Sequence, residues 1–153
     1  MIDYKEKFMK IALKEAEKSY NDGEVPNGAV IVLDGKVIAK GRNKRNKSKN
    51  AIAHAEIIAI NKACKKFGDW RLENAEMYVT LEPCPMCAGA ICNSRIKKVY
   101  FGAYERKSGA VLSNFHILFS TGLNHQVEVE GGILEEKCSN ILKKFFKNKR
   151  NEK

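Results

Sequence analysis

The order of helix-forming and strand-forming segments predicts an α/β fold, a three-layer α/β/α arrangement in which a five-stranded mixed sheet carries helices on both faces. Three observations predict it. Asp34-Gly35 joins two β-rich runs, the strongest short-range signal of a hairpin. From residue 53 onward, short β-rich runs alternate with longer stretches of helical periodicity, as parallel strands joined by crossovers require. Finally, 153 residues, 44% of them hydrophobic, suffice for one domain with its own core and would be cramped as two.

Taken in order, Tyr4 to Tyr20 places Phe8, Ile11, Ala12 and Ala16 at helical spacing with charges between them, and Asp22-Gly23 supplies the stop. Strands follow at about 28–33 and 36–40 on either side of the Asp34-Gly35 turn, and the basic stretch to Asn50 reads as loop. Ala53 to Phe67 reads as a helix that packs through Ile57, Ile58, Ile60 and Ala63 and ends at Gly68. Met77 to Thr80 is a short buried strand, Pro83 to Asn93 a helix with proline in its first turn, and Lys97 to Gly102 the next strand. The interval Ala103 to His125 is long enough for a crossover and holds a short helix, Asn114 to Phe119, with Ser113 as its N-cap. Gln126 to Glu130 is the fifth strand. Leu134 to Lys149 is the last helix, with Cys138, Ile141, Leu142, Phe145 and Phe146 on its apolar side. Residues 1–150 are expected to form the single domain, and 151–153 a frayed basic end.

The net charge of +10 is concentrated in two segments. Lys36 to Lys49 carries +7 and Lys143 to Lys153 carries +5, so the remaining body is slightly acidic. A basic loop and a basic tail suggest a polyanionic partner, because counterion release from phosphates drives such binding. Yet lysine outnumbers arginine 22 to 6 and there are 13 asparagines, the bias that A+T-rich codons produce, so charge alone leaves nucleic-acid binding open. No apolar run approaches the roughly 18 residues of a membrane span. The charged N-terminal stretch lacks a signal-peptide core, so a cytoplasmic protein away from membranes is expected. Five cysteines, an odd number, fit metal-binding or buried-thiol roles better than a disulfide framework.

Two short motifs carry chemistry. His54-Ala55-Glu56 opens one predicted helix, and Pro83-Cys84-Pro85-Met86-Cys87 opens another. Cysteines three apart in a first turn lie on neighbouring faces, where the exposed N–H groups stabilise the thiolates that a metal needs. One imidazole and two thiolates make a three-ligand set suited to one Zn²⁺ per chain, with a fourth tetrahedral position open to water, which marks a catalytic site. A carboxylate beside that water, Glu56, can take its proton and deliver protons to a ring nitrogen and a departing amine. Each motif alone has commoner readings: C-x-x-C serves structural zinc knuckles and redox pairs, and H-x-E is often a solvated helix start. Cys92 points about 140° away from Cys87 on a helix and reads as core. Cys64 and Cys138 read as buried thiols, His116 as a helix-face residue and His125 as structural.

Together the motifs resemble the H-x-E…P-C-x-x-C signature of zinc-dependent nucleobase deaminases. The wider stretches EVPNGAV (24–30), Gly41-Arg42-Asn43, AHAEI (53–57), YVTLEPCPMCAGAI (78–91), SRIKKVYFGA (94–103) and LNHQVEVEGGIL (123–134) closely resemble the bacterial tRNA-specific adenosine deaminases. The likeness runs from Glu24 to Arg150. It implies a cytidine-deaminase-like α/β/α fold, a homodimer, and hydrolytic deamination of the wobble adenosine, position 34, of a tRNA to inosine, with the anticodon stem-loop as partner. Carried over residue by residue, it implies that His54, Cys84 and Cys87 bind zinc, that Glu56 shuttles protons and that Asn43 contacts the base. In FFKNKR (145–150), Phe145, Phe146, Lys149 and Arg150 would grip neighbouring nucleotides.

The chain departs from that pattern in three places. Asn27 stands where a small aliphatic residue is usual, which puts a polar group near the pocket wall. Asn50-Ala51-Ile52 replaces Asp-Pro-Thr, which removes the threonine cap expected ahead of the His54 helix. The loop YERKSGAVLS (104–113) carries Glu105 for an aspartate and Leu112 for a glycine. None touches the metal set; all bear on substrate fit. Two rival readings stay open. A deaminase of a free base or nucleoside, of guanine or cytidine type, shares the metal signature but has no use for the two basic segments. A non-catalytic, zinc-stabilised RNA-binding module needs a fourth protein ligand, and neither His116 nor His125 stands in a zinc-like spacing.

Overall fold

The computed structural model describes residues 3–151. Helix α1 (Tyr4–Asn21) starts where the Asp3 carboxylate accepts the Lys5 amide, a side-chain cap, and buries Phe8, Met9, Ala12, Leu13 and Ala16. Strands β1 (Gly28–Leu33) and β2 (Lys36–Arg42) form the expected hairpin. Asp34 and Gly35 both take positive φ, 50° and 76°, as a primed turn demands. The chain continues through α2 (Arg45–Ser48), α3 (Ala55–Phe67), β3 (Glu76–Leu81), α4 (Pro85–Asn93), β4 (Lys98–Ala103), a 3₁₀ turn (Ile117–Phe119), β5 (Glu128–Glu130) and α5 (Glu135–Asn151).

The five strands form one mixed sheet in the order β2-β1-β3-β4-β5. β1 is antiparallel to β2 and β3, whereas β3, β4 and β5 run parallel. Strand alternation divides the core into two layers. Ala29, Ile31, Met77, Val79, Val99 and Phe101 face one side, against Ala55, Ala59 and Ala63 of α3 and Ala88 and Ile91 of α4. Val30, Val32, Tyr78 and Tyr100 face the other, against Phe8, Met9 and Ala12 of α1 and Cys138 of α5. Each fully buried branched or aromatic side chain contributes about 1.5–3 kcal/mol of transfer free energy, so both layers are needed to offset the chain entropy.

One close approach positions the site. A Cβ on Gly41 of β2 would sit 2.3 Å from the Ala55 carbonyl oxygen and 2.7 Å from the Ala59 nitrogen. Any side chain there pushes α3 off the sheet, and His54 and Glu56 move with it.

Several elements differ from the sequence-based expectation. The basic stretch is not all loop: α2 forms there, with no periodicity to announce it, because the buried Glu24 carboxylate accepts the Asn46 and Lys47 amides at 3.2 and 2.9 Å. α3 and α4 begin two residues late, at Ala55 and Pro85, because His54 and Cys84 stand as extended caps with ψ of 154° and 174°. The helix expected over 114–119 contracts to the 3₁₀ turn, because the Ser113 amide and hydroxyl are both drawn to Glu82 and no cap is left. β5 begins at Glu128 rather than Gln126. Asn151 lies within α5, so that part of the expected frayed end is helical, while residues 152 and 153 lie outside the described residues. Cys64 is half-buried rather than buried, its thiol directed at the Trp70 carbonyl, whereas Cys92 and Cys138 are core residues.

Candidate active site

Two helix N-termini meet at the site. At α3, His54 is the cap residue and Glu56 lies in the first turn; at α4, Cys84 is the cap, Pro85 opens the helix and Cys87 closes its first turn. The His54 Nδ1 atom lies 3.7 Å from the Cys84 Sγ and 3.6 Å from the Cys87 Sγ. Among the described residues this is the one cluster of three histidine, cysteine or acidic donors gathered within 4.8 Å of one another. The other histidines are elsewhere: His125 Nε2 donates to the Ile96 carbonyl and His116 Nε2 to the Leu112 carbonyl. No fourth protein donor joins this cluster among the described residues, which disfavours a closed structural site.

The electrostatics follow from burial and proximity. A hydrogen bond from the Cys87 thiol, resisted by burial and assisted by His54, holds Cys84 down at about 4. The same hydrogen bond and burial push Cys87 strongly up. One thiolate and one thiol thus share a proton. His54 is raised, chiefly by its hydrogen bond to Cys84. Burial pushes Glu56 up to about 7, its backbone hydrogen bond resisting and the Cys84 thiolate adding to the rise. A carboxyl near neutrality is suited to both taking and giving a proton at physiological pH.

Asn43 caps α3 from outside the helix. Its Oδ1 accepts the Ala55 amide at 2.8 Å, satisfying one of the orphan donors of α3 from the far end of β2. The amide nitrogen is then the end left to meet a ligand. Asn27 also meets the site: its Nδ2 donates to Glu56 Oε1 at 3.0 Å.

A cavity of about 730 Å³ opens over His54, Glu56 and Cys84. Its rim is drawn from both basic segments, with Arg45 and Lys49 from one and Phe145, Phe146 and Lys149 from the other. Phe145 is mostly buried edge-on to Tyr20 and Phe146, and Phe146 is the half-exposed ring. Arg150 lies outside this cavity, in an adjoining hollow with Tyr104, Lys143 and Phe146.

Two buried acids of structural importance were not singled out from sequence. Glu24 anchors α2 as described above. Glu82, just past β3, accepts the amides of Glu105, Val111, Leu112 and Ser113 and the Ser113 hydroxyl, and so ties the 104–113 loop beside the site. The available signal was a carboxylate inside a run of otherwise apolar motif residues, which needs partners if buried. Burial by itself raises Glu82, but the Ser113, Leu112 and Glu105 donors outweigh it and hold the group below the usual carboxylate range. That stability is present above the ordinary carboxylate value and is lost as pH falls through the lower folded value. Glu82→Gln is therefore expected to melt well below the parent at pH 7, with the gap narrowing toward about pH 3. Thermal melts at both pH values check it, and an undiminished gap in acid would contradict the assignment.

Comparison with known proteins gives a consistent result. The chain matches the family model of the MafB19-like deaminases over residues 3–150. It is 50% identical over 148 residues to a tRNA-specific adenosine deaminase of Bacillus subtilis (strain 168), covering 97% of this chain and 92% of the relative. It is 48% identical over 147 residues to one of Aquifex aeolicus (strain VF5), covering 96% and 97%. A structure from biochemical and structural studies of A-to-I editing by tRNA:A34 deaminases at the wobble position of transfer RNA superposes with a TM-score of 0.86. It shares 44% identity and covers 89% of this chain and 99% of that one. A guanine deaminase from Nitrosomonas europaea, 23% identical with a TM-score of 0.78 over 92% of this chain and 83% of that one, shares the fold.

Proposed function

The chain belongs to the MafB19-like deaminase family and to the tRNA-specific adenosine deaminases within its reach, and on that premise we propose that it converts the wobble adenosine of a tRNA anticodon to inosine by hydrolytic deamination. One observation carries the reading: the His54, Cys84, Cys87 and Glu56 cluster lies beneath a cavity whose rim comes from both basic segments. A free-base deaminase has no need of that rim.

The donor set fits zinc. Tetrahedral coordination with ordinary Zn–S and Zn–N bonds puts sulfur and nitrogen about 3.6 Å apart, and the separations here are 3.6 and 3.7 Å. His54, Cys84 and Cys87 would hold it, and zinc would supply there the Lewis acidity that activates water for attack on C6 of adenine. Glu56 takes one proton of the attacking water and passes it to the ring nitrogen beside C6, then takes the proton of the hydroxyl left on C6 and passes it to the exocyclic amine, which leaves as ammonia as its bond to C6 breaks. Asn43, fixed through its oxygen by Ala55, turns its amide nitrogen toward a base acceptor. Phe146 offers an exposed ring for stacking, and Arg45, Lys49 and Lys149 offer charge for flanking phosphates. An anticodon loop already presents splayed bases, so little unstacking is required.

Incubating the purified protein with an A34-containing anticodon stem-loop, free adenosine, guanine and cytidine, and reading inosine, xanthine and uridine by mass, tests the reading. Inosine from the stem-loop is expected; product from guanine or cytidine alone would overturn it. RNA affinity should fall with salt at a slope of about −0.7 to −0.9 per phosphate neutralised. Replacing Lys147, Lys149 and Arg150 together by glutamine should flatten that slope by roughly two to three units, with thermal stability nearly unchanged. An unaltered slope would make the tail charge compositional.

The same reading makes the protein a cytoplasmic homodimer. Leu112, Phe115 and Phe119 stay exposed along the segment before β5, an apolar surface of the kind a second copy covers. No helix among the described residues is long and apolar enough to cross a membrane. A monomer in sedimentation at micromolar concentration would exclude the dimer.

A further inference from the structure

We propose that Asn27 is a positioning residue that aims the Glu56 carboxylate, held in turn by Thr80. All three side chains are buried, with Asn27 4%, Glu56 1% and Thr80 0% exposed. They form a directed chain of hydrogen bonds. The Gly28 amide donates to Thr80 Oγ1 at 3.1 Å, Thr80 Oγ1 donates to Asn27 Oδ1 at 3.1 Å, and Asn27 Nδ2 donates to Glu56 Oε1 at 3.0 Å.

The direction follows from donor and acceptor chemistry. The Glu56 carboxylate only accepts, so the Asn27 carboxamide presents its NH₂ to it and its Oδ1 to the Thr80 hydroxyl. The hydroxyl donates there and still has a lone pair for the Gly28 N–H. The root of the chain is stiff. Gly28 and Thr80 belong to the paired strands β1 and β3, in register at Ala29 and Val79. A Cβ on Gly28 would lie 2.1 Å from the Ala12 carbonyl oxygen, so α1 clamps it from behind. Glu56 itself has three side-chain torsions and sits in a first helical turn, so an anchor on Oε1, added to the carboxyl's hydrogen bonds with its own backbone amide and the Cys87 thiol, narrows where its other oxygen points.

Asn27 also lines the cavity, which raises the rival role of contacting the base. Its oxygen and one amide hydrogen are already engaged inside the protein, which favours positioning. That role predicts a loss in kcat, whereas base contact predicts a loss in KM or in RNA affinity.

The test has two arms, and only the kinetic arm rests on the deamination reading. In zinc-loaded protein acting on an A34 stem-loop, Asn27→Ala is expected to lower kcat about 10- to 100-fold, with KM, RNA affinity and zinc content held. Thr80→Val is expected to lower kcat in the same direction, and the double variant to be no slower than Asn27→Ala alone, because both act through one chain. Parent-like kcat in Asn27→Ala, a loss carried by KM, or losses that multiply would each overturn the proposal. Should Asn27→Ala fail to fold, Thr80→Val decides, and a parent-like kcat there overturns it. In the second arm, thermal melts of Asn27→Ala, Glu56→Ala and the double variant are expected to shift non-additively, and additive shifts would overturn the contact. If the parent itself leaves the stem-loop unchanged, the deamination reading fails, and the thermal cycle still decides the Asn27–Glu56 contact.

Discussion

Glu56→Ala is expected to lower turnover of an A34 stem-loop by at least about 10²-fold, the usual cost of losing a general acid or base, while fold, zinc content and RNA affinity survive. The survival follows from where Glu56 sits. It is 1% exposed and its carboxyl is pushed up to about 7 by burial, so removing it takes no fully solvated charge from the protein and removes none of the three candidate metal donors. Glu56→Gln is the sharper variant. Its amide oxygen can still accept from Asn27 Nδ2, so shape and anchor persist, yet it cannot carry a proton at neutral pH. Single-turnover mass analysis of the product reads the effect. A glutamine variant turning over within a few-fold of the parent would remove Glu56 from the proton transfers.

The second large effect belongs to the thiolates. Cys84→Ala or Cys87→Ala is expected to weaken zinc binding by at least about 100-fold, no less than losing a supporting group beyond the ligands costs, and to abolish deamination with it. Metal analysis after dialysis measures the first, and full zinc content in both variants would refute the ligand set. The shared proton adds a finer expectation. Cys84 is held near 4 while Cys87 is pushed strongly up, so the second thiolate forms only by releasing a proton. Zinc uptake at pH 7 is therefore expected to release at least about one proton per chain, and affinity to fall as pH falls. Calorimetry in buffers of differing ionisation enthalpy reads it directly.

The chemistry of the centre was legible because it is local. Cysteines three apart at a proline-marked helix start, and a histidine two before a glutamate at another, carry their geometry in their spacing. What the spacing does not contain is how the two motifs meet. That juxtaposition comes from β3, α4 and α3 packing on one face of the sheet, with Gly41 letting α3 approach β2. The tail was legible as charge and aromatic content, but α5 is needed to separate a buried Phe145 from a half-exposed Phe146.

The sequence by itself determined the alternation of elements, the hairpin at Asp34-Gly35, the amphipathic face of α1 and the choice of His54, Cys84 and Cys87 as candidate metal donors, since each depends on neighbours within a few residues. Only the tertiary structure decided the partners of the buried polar groups. Asn43 caps α3 from the end of β2, Glu24 anchors a four-residue helix that no periodicity announces, Glu82 draws Ser113 away from capping, and Asn27 reaches Glu56 across 29 positions. A buried donor or acceptor must be satisfied by whatever the fold brings within about 3 Å, and that neighbour is set by packing, which no local pattern records.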